Sequence, residues 1–235
     1  MMQFGSIQWL QDGPFALHRW ASLKESFPLF LHAFLYTLGI SIGALILSGI
    51  LGIIFGSLSA AQSKFLRGVS RVYVEFFQNT PLLIQVFFVY YGLPLVNVVM
   101  PVYLIGIICV GIYQGAYIAE VVRSGVQSVA KGQSEAAYSQ GFNYWQTMFL
   151  IVLPQAWRIM LPPLTNQVVN LIKNTSVIAI ISGADIMFTA NSWSSMNLNY
   201  VPAFTLAGLL YFILCFPLAK WARNMEEKNK RAYSR

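Results

Sequence analysis

Charge is scarce in this chain. Only 10% of its 235 residues are Asp, Glu, Lys or Arg, where a soluble domain carries roughly 25%. Acids are scarcer than bases, 8 against 15, which leaves a formal net charge of +7. With 57% hydrophobic residues and a mean hydropathy of +0.59, a water-soluble fold of this size lacks the polar surface to hide its apolar one. That excludes an ordinary soluble domain; a lipid solvent removes the need to hide apolar groups. The excess of base does not point to nucleic acid, because Lys and Arg fall between and after long apolar runs, as in membrane topology. The two histidines, His18 and His32, are too few for a metal cluster. The two cysteines, Cys109 and Cys215, lie inside apolar runs and read as small buried hydrophobes. No Gly-Lys pair exists to form a phosphate loop, so no ATP hydrolysis by that route is expected in this chain.

Two short patterns imitate active sites. Gly39-Ile40-Ser41-Ile42-Gly43 matches a nucleophile elbow, but that motif needs a strand-turn-helix setting and here lies in a membrane helix. Ser128-Val129-Ala130-Lys131 matches a Ser-x-x-Lys pair without the motifs that accompany one. No catalytic residues and no metal site are assigned.

Five apolar stretches are present, at about 29–61, 72–92, 101–122, 150–182 and 201–219, each long enough to span a bilayer as a helix. The expected fold is therefore an all-α membrane protein of about five transmembrane helices. The first 28 residues are polar and mixed, without an obvious cleavable signal peptide, so the first apolar run is expected to act as targeting signal and anchor. The fourth stretch holds Pro154, Pro162 and Pro163, each expected to bend or break a helix. Its first part reads as an interfacial lead-in and its later part as the span. Basic residues set the orientation. Lys64, Arg67 and Arg71 follow the first span, Arg123 and Lys131 the third, and Lys220, Arg223, Lys228, Lys230, Arg231 and Arg235 the last. Residues 93–100 and 183–200 carry none. The basic side is read as cytoplasmic, with the N-terminus outside, where Arg19 and Lys24 are balanced by Asp12 and Glu25, and the C-terminus inside. The expected divisions are an extracytoplasmic segment 1–28, a transmembrane domain 29–222 that contains a cytoplasmic loop 124–149, and a cytoplasmic tail 223–235.

Small residues recur every fourth position in the first span (Ala44, Ser48, Gly52, Gly56, Ala60) and in the third (Gly111, Gly115, Ala119). These stripes predict close helix packing, within the chain or against a partner. Glu75 is placed to pair with Arg71 and Glu120 with Arg123, at helical i,i+4 and i,i+3 spacings.

The loop 124–149 is the most informative segment. Ser134 can cap a short helix over Glu135–Gln140, Glu135 suits its positive end, and Gly141 can close it at positive φ. Ala136 and Ala137 keep one face thin, and Tyr144, Trp145 and Phe149 return the chain to the interface. Such a helix is either a knob for another protein's groove or an ordinary connection. The residues alone leave open a transporter subunit, a self-contained secondary transporter or channel, and a non-transporting scaffold, although no inverted repeat favours the second.

Glu135-Ala136-Ala137, three residues, Gly141, nine residues and Ile151-x-Leu153-Pro154 resemble the signature loop of ABC importer permeases. The polar amino-acid subfamily of type I importers, which serves histidine, glutamate, glutamine and arginine, is resembled more specifically. The matching segments are Asn79-Thr80-Pro81-Leu82-Leu83-Ile84-Gln85, Tyr90-Tyr91-Gly92-Leu93-Pro94, Ala116–Arg123, Lys131-Gly132-Gln133, Pro162–Asn166 and Leu171–Ser176. The resemblance covers about residues 29–222. Gln78, where the family often has Arg, and Ala33, where it often has Gly, depart from the pattern.

The resemblance implies a type I importer permease fold in a bacterial cytoplasmic (inner) membrane. It implies pairing with a second permease, two ATPase subunits that hold ATP and Mg, and an extracytoplasmic binding protein that delivers an amino acid. Glu135, Ala136, Ala137, Gly141, Leu153 and Pro154 are then the ATPase-coupling residues. No cofactor is expected in this chain.

Polar residues inside spans are costly and suggest function. Asn166, Asn170, Lys173 and Asn174, followed by Thr175 and Ser176, are expected to face one cavity, with Lys173 meeting a substrate carboxylate. Pro81 frees a backbone carbonyl in the second span, where Thr80 and Gln85 supply partners, and broken helices of this kind form transporter sites. Thr80, Pro81, Leu82, Gln85, Asn170, Lys173, Asn174 and Ser176 are therefore the candidate substrate residues. No acid adjoins Lys173, which favours acidic, amide or neutral polar amino acids over cationic ones.

Overall fold

The computed structural model describes residues 13, 16–61 and 63–233, with side chains as far as 228. Asp12 and the side chains of Lys230, Arg231 and Arg235 lie outside the described residues. Every regular element among the described residues is helical. In order they are α1 (Leu17–Glu25), α2 (Phe27–Ser59), α3 (Lys64–Gln78), α4 (Leu82–Gly92), α5 (Val102–Gln127), α6 (Lys131–Ser139), α7 (Tyr144–Thr147), α8 (Leu153–Asn174), α9 (Ile186–Asn197) and α10 (Tyr200–Tyr233). Four continuous helical stretches are long and apolar enough to cross a membrane: Phe27–Ser59, Val102–Gln127, Tyr144–Ile181 and Tyr200–Lys228. A fifth span is broken, with Lys64–Gln78 and Leu82–Val96 meeting at 94°. The expected all-α membrane fold of about five spans is observed.

The small-residue stripes pack against each other within the chain. α2 buries Ala33, Thr37, Ser41, Ala44, Ser48, Gly52 and Gly56 along one side, and α5 buries Gly111, Gly115 and Ala119. A Cβ at Gly52 would lie 2.2 Å from Ile118 Cγ2, and one at Gly111 would lie 2.7 Å from Leu47 Cδ2. The two backbones approach more closely than larger side chains permit, which suits association in lipid. The opposite side of α2 exposes Leu31, Leu35, Ile42, Ile46, Ile50 and Ile53. At 33 residues α2 is about 50 Å long, well beyond a hydrocarbon core of about 30 Å.

A helix break at Pro162 and Pro163 is not observed. Pro162 and Pro163 lie inside the continuous helix α8. Their fixed φ is itself helical, so the removed donors weaken the ladder without ending it. The irregularity comes earlier, in a π-helical turn at Met148–Val152, just before Pro154, where the wider turn accommodates a missing donor. The expected tail 223–235 continues the helix of the last span, since α10 runs unbroken through Tyr233.

The segment 183–200 contains helix α9 rather than only a loop. It joins a cluster in which Phe30, Ile186, Ala190, Trp193, Ala203, Ala207 and Leu210 are buried together. Trp193 Nε1 donates to Ser26 Oγ at 2.8 Å, and Arg19 donates to Leu198 O at 2.9 Å. α1, α2, α9 and α10 are thus joined at one end of the bundle.

Gly52→Leu is expected to destabilise the protein by about 1–3 kcal/mol through overpacking. Gly49→Leu, whose Cβ meets nothing within 4 Å, should leave stability unchanged or higher. Thermal unfolding of the two variants in detergent measures the contrast.

Candidate functional site

The break between α3 and α4 is a built feature. A broken helix in an apolar setting exposes carbonyls that need donors, and neighbouring side chains supply them here. Asn79 Nδ2 donates to Glu75 O at 2.7 Å and Thr80 Oγ1 to Phe76 O at 2.8 Å. Gln85 Nε2 reaches Thr80 Oγ1 at 2.8 Å, Thr80 O at 3.1 Å and Phe77 O at 3.3 Å. Pro81 is extended and starts α4. Gln85 Oε1 is buried without a hydrogen-bond partner, an acceptor that the break does not itself use. Gln78, at the family's frequent arginine position, donates to Ala116 O at 3.2 Å and ties α3 to α5.

Leu82 and Val86 of α4 share one buried cluster with Leu171 and Ile178. The break and the polar end of α8 therefore rest on common packing. Along α8, Asn166, Asn170 and Lys173 are all exposed, and their i, i+4, i+7 spacing puts them on one stripe. The rest of the expected group is engaged elsewhere. Asn174 Nδ2 donates to Gln114 Oε1 at 3.4 Å, and Gln114 Nε2 donates to Gln167 Oε1 at 2.6 Å. Ser176 Oγ donates back to Lys173 O at 2.7 Å, and Thr175 Oγ1 to Ile172 O at 2.7 Å. The structure thus brings Asn166, Asn170 and Lys173 to one outer face, turns Asn174 inward to α5, and holds Ser176 against its own backbone. Gln114, buried to 1% exposure, is a polar residue that sequence reasoning missed; a glutamine among the apolar residues of α5 was its only signal.

The loop 124–149 is more ordered than its residues alone suggest. α6 begins at Lys131, with Ala130 extended before it. Ser134 therefore lies within the helix and does not cap it, which corrects the expectation of a helix starting at Glu135. Extended Ala130 starts the helix one turn earlier, and Gln133 N donates to Ala130 O at 3.0 Å. Gly141 closes the helix at φ +85 as expected. Phe142 N donates to Ala137 O at 3.1 Å and Gly141 N to Tyr138 O at 2.9 Å, the paired bonds of a Schellman stop. The next helix starts at once, since Asn143 and Gln146 form a reciprocal capping box at 2.9 Å in both directions. Ala137 is buried while Glu135, Ala136 and Gly141 are exposed; Leu153 is half-buried and Pro154 exposed. Trp145 and Phe149 stack at 6.1 Å on the exposed side of the following turns. The result is a short rigid helix presented outward with both ends tied.

Both expected ion pairs form. Arg71 Nε lies 3.4 Å from Glu75 Oε1, and Arg123 makes a two-pronged contact with Glu120. Among the described residues no group of His, Cys, Asp and Glu is arranged to hold a metal ion.

Asp185 was not anticipated. It is fully buried and caps α9 by accepting from Met187 N and Phe188 N, each at 3.2 Å. Thr37 Oγ1 accepts from Ile186 N at 3.1 Å, which fixes that end of α9 to α2. Burial pushes the Asp185 carboxyl up to about 6, against the lowering effect of its backbone hydrogen bonds.

The family description "binding-protein-dependent transport system inner membrane component" matches residues 52–231. This chain belongs to that family. A probable glutamine ABC transporter permease of Bacillus subtilis, GlnM, is 38% identical over 90% of this chain and 98% of its own length. A second from the same organism, GlnP, is 37% identical over 82% of this chain and 90% of its own. The crystal structure of an amino acid ABC transporter with histidines superposes with a TM-score of 0.83 at 27% identity, over 89% of this chain and 98% of that one. The protein is therefore a multi-pass permease of the amino-acid ABC transporter kind.

The raised Asp185 pKa makes a prediction. A carboxyl easier to protonate in the folded state than in the unfolded one stabilises the fold at low pH and loses that contribution as pH rises from about 4 to about 6. The permease's Tm should carry a component that falls across this window. Asp185→Asn, which keeps a capping oxygen, should remove it in a Tm series against pH.

Proposed function

We propose that this permease is the membrane-spanning subunit of an ATP-driven importer for a polar amino acid, acting with a second permease copy or homologue. The observation that carries this reading is the stripe Asn166, Asn170 and Lys173, exposed on one face of the fourth span. Facing lipid, such a stripe is costly. Facing a second permease across a water-filled path, its groups are solvated and available to substrate. Five spans are few to line and seal a path alone, and symmetric pairing supplies the rest.

In this mechanism an extracytoplasmic binding protein delivers the amino acid. Lys173 holds the substrate carboxylate, and the break at Thr80-Pro81 with Leu82 and Gln85 lines the path. The buried, unpartnered Gln85 Oε1 supports an acceptor role toward a substrate N–H. Asn170 completes the polar lining, while Asn174, bonded to Gln114, and Ser176, bonded to Lys173 O, hold the helix that presents it. Amide, acidic or neutral polar substrates fit a site whose one charge is positive, and the relatives named for glutamine support the amide class. The chain lies with its N-terminus outside and its C-terminus in the cytoplasm, as the distribution of Lys and Arg supports.

Two ATPase subunits bind ATP and Mg and receive α6 in a groove. Glu135, Ala136 and Ala137 form the inserted helix; Gly141, Leu153 and Pro154 set its angle to the span. Closure of the ATPases pulls on α6. Its Schellman stop and capping box transmit the pull to α8 without slack.

Glu135→Lys is expected to abolish binding-protein-dependent uptake while membrane insertion stays intact. At Gly141 the backbone φ selects the outcome. Val is expected to abolish uptake, and Asn, which tolerates positive φ, should retain a substantial part of it. Lys173→Ala should weaken the substrate concentration dependence of ATP hydrolysis in the reconstituted complex. Normal uptake by Glu135→Lys and Gly141→Val together would overturn the coupling role, and an unchanged concentration dependence in Lys173→Ala would overturn the carboxylate role.

A further inference from the structure

A cavity of about 730 Å³ opens between α3 and α5, beneath Ser59 at the end of α2. Asn166, Asn170 and Lys173 do not line it, and the loop 124–149 reaches it through Gln127 alone. Its lining contains Lys64, Arg67, Arg71 and Arg123 against Glu75 and Glu120, an excess of two positive charges. Each carboxylate is already paired with an arginine of its own helix, Glu75 with Arg71 and Glu120 with Arg123. Arg67 also reaches Ala61 O at 2.9 Å, which holds its guanidinium at the turn between α2 and α3. Gly68 borders open space on this side, since a Cβ there would meet nothing within 4 Å.

Helix α3 has three distinct sides. Lys64, Arg67, Gly68, Arg71, Val74, Glu75 and Gln78 face the cavity. Ser70 and Tyr73 face the bundle, donating to Phe55 O at 2.7 Å and Ile112 O at 2.7 Å. The third side carries Phe65, Val69, Val72 and Phe76, exposed by 77, 40, 70 and 58%. In a membrane that third side meets acyl chains, and around the same helix it adjoins the basic cavity. A ligand that suits both sides has an anionic head and an apolar tail. A freely soluble anion would use the first and leave the second unexplained.

We propose that the cavity between α3 and α5 binds the phosphate headgroup of an anionic phospholipid of the cytoplasmic leaflet, whose acyl chains lie along Phe65, Val69, Val72 and Phe76. The chemistry recognised is a phosphodiester monoanion, for which guanidinium groups are suited donors. The leaflet follows from the orientation proposed above, but the binding does not depend on transport. A failure of the lipid site is therefore distinguishable from a failure of the coupling or substrate assignments.

The test uses the intact transporter complex in detergent, equilibrated with equal amounts of phosphatidylglycerol and phosphatidylcholine, with retained lipids counted by native mass spectrometry. Wild type is expected to retain phosphatidylglycerol preferentially. Lys64→Gln should reduce that preference about fivefold, the usual weight of one basic group at a membrane surface. Gly68→Leu narrows the cavity without changing charge, from a Cβ that meets nothing within 4 Å, and should reduce it in a folded complex. Lys220→Gln, at a basic site on α10, should leave it unchanged, and millimolar inorganic phosphate should not displace the lipid. Equal retention of the two lipids by wild type would overturn the proposal. So would displacement by phosphate, which would mark a soluble-anion site. Full retention by Gly68→Leu would also overturn it, since attraction would then come from surface charge and not from the cavity.

Discussion

A chain surrounded by lipid must satisfy its own backbone, because no water reaches the groups that a helix leaves open. Each irregular point of this permease satisfies its backbone locally, inside the membrane and at its margins. Where α3 stops, Asn79, Thr80 and Gln85 donate to the carbonyls that Pro81 leaves uncovered. Where α6 stops, Gly141 and Phe142 fold their N–H groups back onto Tyr138 and Ala137, and Asn143 with Gln146 opens the next turn. Where α9 starts, the buried carboxylate of Asp185 takes up two helix N–H groups. Each break is thereby tied by local hydrogen bonds rather than left open.

The same constraint sorts polar side chains by role. Gln114, Gln167 and Asn174 satisfy one another between α5 and α8, and Thr165 Oγ1 and Ser176 Oγ return to their own helix. Asn166, Asn170 and Lys173 stand apart from that economy on the exposed face. That division carries the proposed reading: polar groups bonded within the chain are assigned to structure, and those on the exposed face are proposed for substrate.

Much of the fold was legible in the sequence. The Gly52–Gly56 and Gly111–Gly115 stripes announced a close helix pair because only small residues let backbones touch in lipid. Gly141 announced the end of α6 through its need for positive φ. The i,i+4 and i,i+3 spacings announced Arg71–Glu75 and Arg123–Glu120. What failed were inferences from single residues whose effect depends on neighbours. Ser134 has capping chemistry, but extended Ala130 starts the helix one turn earlier. Pro162 and Pro163 have breaking chemistry, yet the surrounding helix persists through them. Helix α9 is short and mixed in polarity, so its periodicity was silent; Asp185 before Ile186 was the available cap signal. The candidate site was legible as a set of residue types and less so as a set of directions. Nothing local in the sequence turns Asn174 toward Gln114 while leaving Asn170 outward.

The most direct test is whether the outward stripe faces water. Cys109 and Cys215 are buried, so the native background to thiol labelling is low. Asn170→Cys in the assembled complex in proteoliposomes should react with a membrane-impermeant maleimide, and a saturating amino-acid substrate should slow the reaction. Ile46→Cys, on the lipid side of α2, should stay unreactive. An Asn170→Cys as inert as Ile46→Cys in every state of the transport cycle would contradict a water-filled path along α8.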